Sequence, residues 1–146
     1  MKVCIIAFNL GNSNGFVNGP GMSLLNFVKF LKKHKNCNIS IYTQLRSSEK
    51  MDNVSINKIN LSNDLKSEIL SSDIIHCWSG LTDVIHRVML FAKKNNKKIF
   101  LGPNLIDTVN AELERKFLNT INPKRFFVVN KKLKIKASNV HDLSID

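Results

Sequence analysis

The chain is an α/β domain: a doubly wound, mostly parallel sheet of about six strands with helices on both faces. Three observations predict this. Short apolar runs alternate with helical patterns along the sequence. Two of those runs, KVCIIAF and DIIHCW, show no polar alternation, as expected of central strands buried on both faces. The 146 residues suffice for one core and contain no repeat, low-complexity linker or second unit.

The elements follow in order. Lys2–Phe8 is the first strand. It is too short an apolar run for a signal peptide and lacks the small-residue cleavage site. NLGNSNGFVNGPG, residues 9–21, then holds four of the chain's six glycines. A helix from about Gly21 to Lys35 carries Leu24, Leu25, Phe27, Val28, Phe30 and Leu31, more than one apolar stripe. Asn38–Thr43 is a β-branched second strand and Val54–Ile59 a weaker third. A short helix follows, with Ser62 or Asn63 as N-cap. Asp73–Trp78 is the central fourth strand. Leu81, Val84, Ile85, Val88 and Ala92 recur at helical spacing up to the stop KKNNKK. Lys98–Gly102 is the fifth strand. Asp107 caps a helix reaching Ile121, with Glu112 and Lys116 as an i,i+4 pair. Arg125–Asn130 is the last strand. In the tail, Leu133, Ile135 and Ala137 alternate like a strand, while Leu133, Ala137 and Val140 also fit a helix.

In such a sheet a ligand binds beyond the carboxyl ends of the strands, where the strand order reverses. Loop 9–21 is therefore expected to face His76, Trp78, Ser79 and Gly80, with Gly102, Pro103 and Asn104 as the next wall. Residues GPGMSL offer G-x-G-x-x, but Leu24 stands where a dinucleotide fingerprint wants Gly or Ala. The second strand ends in Thr43-Gln44 rather than an acid for the ribose, and the loop is too long for the tight turn. No cofactor is expected on these grounds. No G-K-[ST] follows the glycines, so a Walker P-loop is excluded. An anion cradle fits better: Gly19, Gly21, Met22 and Ser23 place backbone N–H groups and a hydroxyl at a helix N-terminus. The competing reading is a solvated loop whose glycines serve turns only.

His76 ends a buried strand, where it is a general base, a donor to a ligand, or a satisfied core residue. Trp78 is either a platform for a sugar face or part of the crevice wall. Neither His34-x-x-Cys37 nor His76-Cys77 assembles four ligands, so no metal site is expected. There is no D-x-D and no G-x-S-x-G. Cys4 and Cys77 read as buried hydrophobes, and the odd cysteine count fits a reducing, cytoplasmic setting. No window approaches transmembrane length. With 22 basic against 11 acidic residues, the net charge of +11 favours anionic partners, an anionic inner-membrane surface among them. Nucleic acid is not expected, since no recognition module is present.

Taken together, the glycine loop with GPGMSLLNFVKFLKKHKNCNISIYT, then SDIIHCWSG, KKIFLGPN and FFVVNKKLKIKASNVHDLSID, resembles the N-terminal half of GT-B glycosyltransferases of family 4, the group 1 type. The resemblance covers nearly the whole chain and rests on motif order. It implies the acceptor-side domain of a nucleotide-sugar hexosyltransferase, taking a sugar or lipid-linked acceptor. Gly19 and Gly21 would approach the donor phosphates, and His76 would be the catalytic strand-end residue near the reacting sugar. It favours a helix for the tail. The donor-binding half is absent, and no two of Glu49, Glu68, Glu112 and Glu114 have the spacing of the family's E-x7-E motif. The expectation is a truncated domain, inactive until a donor-binding domain is supplied in cis or in trans. The alternative is a non-catalytic binding module for a phosphorylated metabolite or a partner protein.

Overall fold

The computed structural model describes residues 1–10, 19–45, 54–78, 82–104, 118–121 and 125–128. Its elements are β1 (Lys2–Asn9), α1 (Gly19–Lys35), β2 (Asn38–Leu45), β3 (Ser55–Lys58), α2 (Asn63–Ser71), β4 (Ile74–Trp78), α3 (Asp83–Lys94), β5 (Lys98–Asn104) and β6 (Arg125–Val128). The strands form one six-stranded sheet in the order β3-β2-β1-β4-β5-β6. All five pairings are parallel. The α/β doubly wound, Rossmann-like architecture is thus as the sequence predicts.

β1 lies in the middle, with Ile5 opposite Ile41 of β2 on one side and His76 of β4 on the other. Its residues Cys4 to Ala7 are completely buried, which is why its apolar run does not alternate. Successive side chains enter two separate cores. Val3, Ile5 and Ala7 meet Leu24 and Val28 of α1, together with Ile39 and Ile41. Cys4 and Ile6 meet Leu65 and Ile69 of α2, Ile85, Val88 and Met89 of α3, and Leu118 and Ile121. Each such Ile or Leu contributes about 1.5–3 kcal/mol relative to exposure. Residues 118–121 are helical. The rest of the expected helix from Asp107, and the tail beyond 128, lie outside the described residues.

The helix ends have local causes. Ser62 caps α2, its hydroxyl accepting from the Leu65 amide, and Thr82 does the same for α3 through Ile85. Lysines fill the last turns of α1 and α3, where the helix dipole favours them. Asn36 and Asn96, just past those helices, take left-handed φ values of 45° and 56°.

Candidate functional site

The strand order reverses at β1. The connection from β1 runs through α1 to β2, over the first core. The connection from β4 runs through α3 to β5, over the second. In a doubly wound sheet this places the expected ligand position at the carboxyl ends of β1 and β4.

Gly21 fixes one wall. A Cβ at this position would lie 2.1 Å from the carbonyl oxygen of Leu10, the fully buried residue that follows β1. Only glycine lets the first turn of α1 press on the strand end this closely. Gly19 has open space around it, and Met22 and Ser23 are exposed in the same turn. That turn contains no acidic side chain of its own to offset the positive end of the helix dipole.

The sheet surface under α1 supplies a second group. His76 Nε2 lies 2.6 Å from the carbonyl oxygen of Gly102. Since a carbonyl only accepts, Nε2 carries the proton in a neutral ring. Burial lowers the imidazole pKa, and the bond to Gly102 only partly offsets this. Gly102 has a φ of 112°, and the β5–β6 register shifts between Leu101 and Asn104. Phe27 of α1 covers this surface, edge-on to His76 at 5.7 Å and tilted against Trp78 at 5.1 Å between ring centroids. Trp78 is only 6% exposed and belongs to the α1-side core. It is a wall residue, not an open platform.

A third contact lies at the same ends of the strands. Thr82 Oγ1 donates to Gln44 Oε1 at 3.3 Å, linking the cap of α3 to the end of β2 across β1. On the same edge Thr43 Oγ1 donates to the Phe8 carbonyl at 3.4 Å. Sequence reasoning noted Thr43 and Gln44 only as a missing acid, read Phe27 only as part of the apolar stripes of the first helix, and passed over Thr82. A threonine just before an acidic first helical turn was a usable signal for Thr82.

The structure brings Gly21, Met22 and Ser23 to the end of β1, with Gly19 beginning the same helix. It places His76 and Trp78 together one strand away. Asn104 pairs with Val128 as the last residue of β5. Ser79 and Gly80, and most of the glycine loop, lie outside the described residues. Among the described residues no cluster of His, Cys, Asp and Glu could hold a metal ion. No described helix is long and apolar enough to cross a membrane. Cys4 and Cys77 are free and buried, and burial pushes both thiols up to about 12, against a small opposing bond from Ser40 at Cys4.

No family model and no curated protein matches the chain. Solved structures of S. aureus homoserine dehydrogenase at pH 6.5 and pH 8.5 are similar to it, each with a TM-score of 0.47 and 16% identity. They cover 88% and 87% of this chain, while the chain spans 32%, about a third, of theirs. Nothing of their activity is carried over at that identity and TM-score. The expected glycosyltransferase assignment, including the group 1 type, the nucleotide-sugar donor and the acceptor-domain role, does not stand: no family model or curated protein matches, and the solved structures similar to the chain are of a dehydrogenase. The alternative of a non-catalytic module gains no clear support from them either. The motifs behind the resemblance have local causes in the fold. Gly21 packs on Leu10, Ile75, Cys77 and Trp78 of DIIHCW are buried, and the glycine of LGPN adopts positive φ beside His76.

Proposed function

We propose that this chain is a nucleotide-binding domain, holding a phosphate of its ligand at the first turn of α1 and the nucleoside along the carboxyl ends of β2, β1 and β4. The observation that carries the reading is the strand order β3-β2-β1-β4-β5-β6, with α1 starting hard against the end of the central strand. The acid-free first turn of α1 and the net charge of +11 support an anionic ligand. In this reading His76 is a positioning residue: its proton is given to Gly102, and it holds the bend of β5 at the crevice wall.

The test is thermal unfolding with and without ATP, NAD and NADP. Saturation by a bound nucleotide stabilises by about 3 kcal/mol at a hundredfold excess over Kd. The variant Ser23→Asp places a carboxylate at the exposed fifth position of α1, next to the first turn, where it favours the helix but repels phosphate. It is expected to fold at least as stably as the parent and to lose the nucleotide-dependent rise. Absence of any rise in the parent, or an equal rise in the variant, overturns the reading.

A further inference from the structure

The outward side of helix α1 faces away from the core, and only its first-turn residue Met22 is shared with the proposed phosphate site. Leu24, Leu25 and Val28 face the sheet. On the opposite side Phe30 is 54% exposed and Met22 42% exposed. Lys29 and Lys33 are exposed beside them, one turn apart. The 17-residue helix GPGMSLLNFVKFLKKHK contains no acidic residue at all. A single exposed apolar side chain is ordinary. Two on the outward side of one helix, flanked by cations and without a carboxylate, offer an apolar and cationic surface suited to an acidic interface.

We propose that the outward face of α1 docks on an anionic lipid bilayer, with Phe30 and Met22 entering the headgroup boundary and Lys29 and Lys33 at the level of the lipid phosphates. Charge complementarity argues for this occupant. The chain's excess of 11 positive charges draws it to an acidic surface, and the cations flank the apolar residues that enter. The Phe30 ring lies against His34, 4.6 Å between centroids, and is not an open stacking platform for a nucleobase. The proposal shares only Met22 with the nucleotide reading; Lys29, Phe30 and Lys33 lie beyond the first turn of α1, so variants at these positions test it separately.

The experiment is sedimentation of the 146-residue chain with vesicles of phosphatidylcholine alone and of phosphatidylcholine with phosphatidylglycerol. Binding is expected only to the anionic vesicles and weakens with added salt. Phe30→Ser weakens it about tenfold. The double variant Lys29→Gln, Lys33→Gln weakens it about 30-fold, from about 1 kcal/mol per cation. All three positions are exposed, so melting temperatures stay at the parent value. Phe30→Trp adds a reporter to the one buried native tryptophan, Trp78, and its emission shifts blue on the vesicles. Equal binding to neutral vesicles, no binding, or insensitivity to Phe30→Ser overturns the proposal. Tighter binding to duplex DNA that depends on the lysines but not on Phe30 assigns the patch to nucleic acid and overturns it equally.

Discussion

The two edges of the sheet are built from different chemistry. At the amino edge, charges and hydroxyls satisfy one another. Lys2 Nζ meets Glu68 Oε2 at 2.8 Å and donates to Ser71 Oγ at 2.7 Å, while Ser40 Oγ donates to Glu68 Oε1 at 2.6 Å. The Lys2 amide donates to Asp73, and Lys97 donates to the carbonyls of Leu70 and Ser72, closing the end of α2. At the carboxyl edge no such knot exists among the described residues. Backbone carbonyls are met by neutral side chains, His76 on Gly102 and Thr43 on Phe8, and glycines stand where elements touch. Among the described residues, the sheet is fastened by charged and hydroxyl side chains where it begins and not where it ends.

The carboxyl edge breaks most readily at Gly21. Gly21→Val drives a side chain into the Leu10 carbonyl and is expected to cost about 3 kcal/mol, roughly 10 °C in melting temperature. Gly19→Ala, in open space, is expected to leave the melting temperature nearly unchanged, which separates close packing from mere loop composition. Gly102→Ala places a Cβ on a backbone of φ 112° and is expected to cost about 2 kcal/mol by urea denaturation.

The His76 contact adds a pH signature. Its folded pKa lies below the ordinary 6.5, so the unfolded chain takes up the proton first as pH falls. Stability therefore rises with pH through the window just below 6.5 and is lost as pH drops through it. His76→Phe is expected to flatten urea midpoints across that window. The amino edge behaves differently. Burial alone would raise the Glu68 pKa, but bonds from Lys2 and Ser40 outweigh it and hold the carboxyl below 4.5. Its contribution is present above 4.5 and is lost as pH falls through the lowered value. Glu68 is partly exposed, so Glu68→Gln is expected to cost under about 1 kcal/mol and to blunt only the acid limb.

The fold was legible because periodicity reports burial. KVCIIAF and DIIHCW read as central strands, and each lies between two neighbours. Boundaries moved by a residue or two: α1 begins at Gly19 rather than Gly21, and β3 shrinks to Ser55–Lys58. The site was legible only in outline. Strand order follows from alternation, so the meeting of Gly21 with the end of β1 was foreseeable. The partner of His76 was not, because the bend that turns the Gly102 carbonyl toward it is a register irregularity with no period. The family resemblance failed for a related reason. Glycines at a helix start and a buried strand ending in His-Cys-Trp answer needs of packing that any doubly wound sheet shares, so their order speaks to architecture more than to chemistry.

The central claim is that the carboxyl edge binds a nucleotide while the amino edge does not. Amide NMR during titration with ATP, NAD and NADP tests it most directly. The predicted result is saturable shifts at Leu10, Gly19, Gly21, Met22, Ser23 and Gln44 for at least one of these ligands, with Lys2, Glu68 and Ser71 unmoved. Shifts confined to the amino edge, or none with any of the three, would contradict it.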